Sequence, residues 1–283
     1  MSVGWSVVAL VVAVGCYTAA TLLLSDAATR GRTTGGPTGL RHTLRAPGWW
    51  LATTLQGVAF LVLLGARHLL PLMIVQPAVA SALATAALLG ALLGRWRLTR
   101  RDLLAVALVV AGVTATAVVA RSGPAEPIGP VAVATLGLVQ AAVVGLLLAG
   151  SRVPAILTGM GAGLAFGSAA VGGRAWAADP FAVLERPEIL AAAVLTVAGT
   201  VLGQLLLSVA LSTGRVGGPL AGMYAVQTSA PALAGVLVLG DRLAPGGAPV
   251  ATAGVAVAVL ASLLLAGHGV PDRAAGATHS TSS

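Results

Sequence analysis

Residues 71–98 read PLMIVQPAVASALATAALLGALLGRWRL, and this run decides the fold class. From Pro71 to Gly94 no side chain is charged, and then Arg95, Trp96 and Arg97 follow at once. A helix needs about 20 mostly apolar residues to cross roughly 30 Å of hydrocarbon. The run is long enough, and Arg beside Trp is the pairing expected where a span meets the headgroups. Its apolar character is continuous, which sets it apart from the alternating strands of a barrel.

The same pattern recurs on both sides. Nine stretches reach the length of a span, at 3–24, 48–66, 69–94, 103–120, 130–149, 155–173, 189–212, 218–239 and 248–267, with Arg, Pro, Gly and Asp gathered between them. Only 8% of the chain is charged, about a third of the roughly 25% typical of a soluble domain. Mean hydropathy is +0.97. All sixteen basic residues are Arg, spread through short loops and not gathered into a basic domain, so nucleic acid is not an expected partner despite the net charge of +8. Trp5, Trp49, Trp50, Trp96 and Trp176 fall at span edges or in adjoining loops, where indoles anchor at the interface. The expected class is therefore an all-α polytopic membrane protein of about nine transmembrane helices. The N-terminal stretch lacks the basic region of a cleaved signal peptide and reads as a retained first span. Cys16, the single cysteine, reads as a packing residue, and 268–283 as a polar, disordered tail.

Orientation follows from arginine placement. The loops after spans 1, 3, 5 and 7, with the tail, hold eleven of the sixteen arginines. Positive-inside bias then puts the N-terminus outside and the C-terminus in the cytoplasm of a cell membrane.

Two stretches resemble one another. Residues 71–98 lead into a span containing AGV at 111–113. PLAGMYAVQTSAPALAGVLVLGDRL, from Pro219, leads into a span containing AGV at 253–255. On nine spans these hairpins face opposite ways, which predicts two inverted-topology repeats, a common transporter architecture. The halves would be 1–120 (spans 1–4) and 121–267 (spans 5–9). The segment from Leu44 to Asp102, LRAPGWWLATTLQGVAFLVLLGARHLLPLMIVQPAVASALATAALLGALLGRWRLTRRD, resembles the EamA-like domains of the drug/metabolite transporter superfamily. The Arg/Gly-rich loop before Trp49-Trp50 and the span count look most like its NIPA-like magnesium transporter branch. The family hairpin commonly closes on Glu-Arg. The first copy here reads Trp96-Arg97 and the second Asp241-Arg242, so no first-half carboxylate role carries over.

None of the eight acids and none of the four histidines lies mid-span, so proton relay through an intramembrane acid is not expected, nor is a dehydrated Mg²⁺ site. Intramembrane polarity comes from neutral groups. Gln204, Ser208 and Ser212 share a helix face by spacing. Tyr224, Gln227 and Thr228 form a second patch, Thr53 and Gln56 lie one turn apart, and Gln76 precedes Pro77. Thr53, Gln56, Gln76, Gln204, Ser208, Tyr224, Gln227 and Thr228 are the candidate cavity lining, with Pro77 and Pro231 as hinge candidates. The bland reading of each is interhelical hydrogen bonding, as for Gln140 alone on span 5, worth about 0.6 kcal/mol per contact. Aromatic residues make up 4% of the chain, too few to expect an aromatic cage. Glycines four apart at 90–94, 159–167, 199–203 and 218–222 read as helix-packing positions. No nucleophile–base pair, phosphate loop or metal cluster is present in the pattern, so neither an enzyme nor a cofactor is expected.

The sequence leaves three functional readings. The first is a secondary transporter or exporter of a small solute, working by alternating access. The second, implied by the resemblance, is a magnesium or other divalent-cation pathway. The third is a non-transporting membrane subunit or scaffold. Expected partners are the lipid bilayer, a small-molecule or ion substrate, and a second copy in a homodimer.

Overall fold

The computed structural model describes residues 3–33, 45–67, 69–94, 99–121, 126–212 and 217–268. The RWRL stretch at 95–98, Trp96 within it, and residues from 269 onward lie outside the described residues. The described chain is all helical, with no strand beyond one isolated bridge between Ala120 and Leu243. Nine α-helices follow in order: α1 Val3–Thr33, α2 Pro47–Arg67, α3 Leu72–Leu92, α4 Arg100–Val119, α5 Pro130–Ala149, α6 Ala155–Ala178, α7 Pro187–Ser212, α8 Gly217–Val238 and α9 Ala248–His268. By length and composition α1 to α7 can each cross a membrane, while α8 and α9 carry shorter apolar stretches, Gly222–Val238 and Ala248–Leu264. These are the helices of a multi-pass membrane protein.

Helix ends follow local chemistry. Thr99 and Asp102 form a capping box at the start of α4: Thr99 N donates to Asp102 Oδ2 at 2.7 Å and Asp102 N to Thr99 Oγ1 at 3.3 Å. Helix α3 starts after Pro71, which has no side chain to offer, and Leu72 N donates instead to Asp241 Oδ2 at 2.7 Å. Gly94, with φ +67°, ends α3 in the left-handed region that favours glycine. It is thus a stop rather than the packing position its spacing suggests, with no neighbour near its missing Cβ.

Lipid is as apolar as leucine, so helices in a bilayer associate through close packing and hydrogen bonds. The glycines show where. A Cβ on Gly163 would sit 2.5 Å from Met223 O, one on Gly167 would meet the Pro231 ring at 3.3 Å, and Gly159 lies against Pro219. The 159–163–167 row therefore seats α6 on α8. The glycines of the two AGV triplets also meet. A Cβ on Gly112 would be 2.5 Å from Gly254 O, and one on Gly254 would be 2.8 Å from Gly112 O, which joins α4 to α9. Helix α3 is the most enclosed of the spanning helices, packing on α1, α4, α8 and α9, while α5 lies at the edge against α6 and α7. The perimeter is apolar, with Val118, Val131, Leu138 and Leu148 exposed.

Four connections meet at one end of the bundle. Arg121 N donates to Arg242 O and Ala244 N to Val119 O, linking the α4–α5 and α8–α9 loops. Asp241 reaches Leu72 beside the α2–α3 turn, and Arg174 near the end of α6 donates to Arg67 O. The expectation that charged side chains stay out of the span interiors needs correction here. Helix α6 runs five residues past its expected end at 173, so Arg174 belongs to the helix, and it is 1% exposed. Arg67, expected in a loop, is 4% exposed.

Candidate functional site

A cavity of about 270 Å³ lies inside the bundle, at the lower edge of the range for small-molecule sites, about 300–1,000 Å³. Six helices supply its wall: Tyr17 from α1, a row from α2, Val79 from α3, Phe166 and Ala169 from α6, Thr200, Val201, Gln204 and Leu205 from α7, and Met223, Tyr224 and Gln227 from α8. The α2 row is Trp49, Thr53, Gln56, Gly57, Phe60 and Arg67. Its steps of three, four and seven keep these residues on one helix face, and at 1.5 Å per residue the row extends about 27 Å. That face is why α2 is the principal wall.

Of the eight cavity candidates, Thr53, Gln56, Gln204, Tyr224 and Gln227 line this space. The other three do not. Ser208 is buried behind the wall, accepting from the Trp49 indole N–H at 3.2 Å and donating to Gln204 O at 2.8 Å. Thr228 is buried one residue beyond Gln227, on the packed side of α8. Gln76 is buried with its Nε2 unpartnered among the described residues, also away from the lining. Pro77 and Pro231 lie inside α3 and α8 without lining the cavity. Gln140 follows the bland reading: it donates to Leu195 O, and to Ser168 Oγ at 3.3 Å, tying α5 to α7 and α6.

Several wall residues escape a reading by composition. Half of the chain's ten aromatic residues stand here: Tyr17, Trp49, Phe60, Phe166 and Tyr224. A low overall aromatic content says nothing about where the few are gathered. Trp49 was expected as an interfacial anchor. It is instead 6% exposed and packs edge-on against Trp50, with ring centroids 4.9 Å apart, while Trp50 and Trp5 keep the outward position.

The electrostatics are concentrated at the Arg67 end. Arg174 Nη2 and Nε donate to Asp241 Oδ1 at 2.7 and 3.2 Å, and Asp241 Oδ2 accepts from Leu72 N. One carboxylate thus serves one guanidinium and one helix start. Arg67 is the one charged residue among the described lining residues. Its guanidinium carbon sits 5.3 Å from the Phe60 ring centroid, and its Nε and Nη1 have no hydrogen-bond partner among the described residues. Gly173 makes room for it, since a Cβ there would stand 2.7 Å from Arg67 Nη1.

At the opposite end of the α2 row the contacts between α2 and α7 are neutral. Trp49 bonds Ser208, and Gln204 Nε2 donates to Thr53 Oγ1 at 3.2 Å. Between the ends, the Thr21 and Tyr224 hydroxyls lie 3.4 Å apart. Compared with known proteins, the chain matches no family model, no curated protein and no solved structure.

Proposed function

We propose that this chain is a secondary transporter of a small solute, built on the drug/metabolite transporter plan and working by alternating access. The observation that carries the reading is the composition of the cavity wall, drawn from α1, α2 and α3 on one side and α6, α7 and α8 on the other. With 1–120 and 121–267 as halves, the first three helices of one face the second to fourth of the other. Packing agrees: α1 holds α2 and α3 much as α6 holds α7 and α8, while α4 and α9 pair with each other. The reciprocal contact of Gly112 and Gly254 is what a two-fold relation between repeats requires, because related residues then meet at the axis. Helix α5 is the element left over at the edge.

Two sets of bonds join the halves, one at each end of the cavity. Trp49–Ser208 and Thr53–Gln204 tie α2 to α7. Arg174 to Arg67 O and Asp241 to Leu72 N tie the second half to the first at the other end. Breaking one set while keeping the other exposes the cavity to one side at a time. With the N-terminus outside, the Arg67 end faces the exterior of the cell membrane and the Trp49 end the cytoplasm. A divalent-cation pathway fits this wall poorly, since its charged member is a guanidinium.

The test is reconstitution. Purified protein in liposomes is offered a broad panel of labelled metabolites, with ligand-induced thermal shifts measured in parallel. Uptake of at least one solute, abolished by Gln204→Leu or Tyr224→Phe without loss of folded protein, is expected. A chain that moves nothing and binds nothing across the panel is not a transporter.

A further inference from the structure

Arg67 carries an unspent recognition surface. Its side chain is buried, two of its N–H donors lack partners among the described residues, and it borders the cavity. A buried charge left without a partner costs several kcal/mol, so such a residue persists where something else completes it. The nearby carboxylate does not do so: among the described residues Asp241 bonds Arg174 and Leu72 N. Among the buried charged side chains described at this end, two guanidiniums, Arg67 and Arg174, face one carboxylate, Asp241. Phe60 covers the guanidinium from one side, which leaves its N–H edge for a ligand. Gly173 keeps the space that the guanidinium occupies.

We infer that the cavity binds a small organic oxyanion, specifically a carboxylate on a compact apolar or aromatic body, with Arg67 holding the carboxylate. The planar fork of arginine matches a carboxylate with two parallel hydrogen bonds. The rest of the wall suits the body of such a molecule: Tyr17, Trp49, Phe166 and Tyr224 present ring surface, and Gln56 and Gln204 offer neutral polar groups. No described lining residue carries a negative charge, so an ammonium group would meet Arg67 without a lining acid to offset it. Simple carboxylates are therefore preferred to zwitterionic amino acids of the same size. The cavity volume suits a molecule of this kind and not a peptide or a lipid. This inference rests on the transport reading above and gives its substrate class.

The experiment compares benzoate, benzamide, phenylalanine and inorganic phosphate with wild-type protein in phosphatidylcholine liposomes, following binding and uptake. Benzoate is expected to bind at least about tenfold more tightly than benzamide, the difference between a charged and a neutral hydrogen-bonded pair, and more tightly than phenylalanine. Arg67→Gln should erase the preference for benzoate, Arg67→Lys should keep part of it, and Gly173→Ala should weaken it by displacing the guanidinium. The wild-type comparison alone decides the matter if the variants do not fold. Benzamide taken up as well as benzoate overturns the anion inference while leaving the transporter standing. Phosphate preferred to benzoate overturns the carboxylate assignment and the apolar body with it. Uptake and binding of none of the four, alongside transport of another solute, overturns it too, and transport of nothing at all sinks both readings.

Discussion

Asp241→Asn is the sharpest test of the architecture, because one side chain there serves two helices. Asp241 Oδ1 accepts both donors of Arg174, and Oδ2 caps α3 through Leu72 N. Asn can still accept from Leu72 N, so the substitution removes the charge and spares most of the cap. Arg174, 1% exposed, then loses the Asp241 carboxylate while it stays buried beside Arg67. Removing one partner of a buried pair costs about 3–5 kcal/mol, whereas replacing both by apolar groups of similar size is often neutral. The double variant Asp241→Asn/Arg174→Met should therefore recover much of what the single variant loses. The measurement is a double-mutant cycle on unfolding in mild detergent, followed by tryptophan fluorescence, with stoichiometric lipid kept constant. A cost below about 1 kcal/mol for Asp241→Asn, or additive single effects, would refute the claim that the pair holds this end of the bundle.

Four further outcomes follow from packing, capping and the Trp49–Ser208 bond. Gly163→Leu places a side chain where even a Cβ would be 2.5 Å from Met223 O, so it should destabilise by at least 1–3 kcal/mol. Gly137→Leu, with nothing within 4 Å of its Cβ, should be tolerated in the same thermal assay. Thr99→Ala removes the α4 cap and should cost about 1 kcal/mol, visible as faster amide exchange confined to the first turn of α4. Trp49→Phe removes the indole donor to Ser208, worth about 0.6 kcal/mol. On a Cys16→Ala background, thiol labelling of Thr53→Cys should then quicken by about threefold, and an unchanged rate counts against the closure assigned to Trp49.

The helices were legible because their signal is redundant. A run such as 71–94 would have to change at several positions before it ceased to read as a span. Polar side-chain placement was legible only where spacing and span agreed, as for Thr53 and Gln56 on α2 or Gln204 on α7. Ser208 and Thr228 have the same spacing credentials and end behind the wall, because a rotation of less than one residue around the helix decides which neighbour faces the space. Arg67 and Arg174 were misplaced for a different reason. Each lies at the edge of an apolar run, where hydropathy sees a loop. Arg174 is held by Asp241, 67 residues away, and Arg67 takes its room from Gly173. Tyr17, Phe60 and Phe166 escape a reading of the sequence because their gathering beside Tyr224 is a property of tertiary packing.

The two closures of the cavity are unequal, and the inequality bears on direction. At the Trp49 end two neutral hydrogen bonds join the halves, together worth about 1 kcal/mol. At the Arg67 end the joining bonds are two charge-assisted ones, Leu72 N on the Asp241 carboxylate and Arg174 on the Arg67 carbonyl, each worth about 1.5–3 kcal/mol. On the transport reading, the Trp49 end therefore opens more readily in the unloaded protein. Opening the Arg67 end requires separating Asp241 from Leu72 and Arg174 from the Arg67 carbonyl, with water as the alternative partner. An oxyanion bound at Arg67 offsets its charge and lowers the cost of moving the end as a unit. Substrate would thus favour the transition that the empty protein resists, which is the coupling any alternating-access carrier needs.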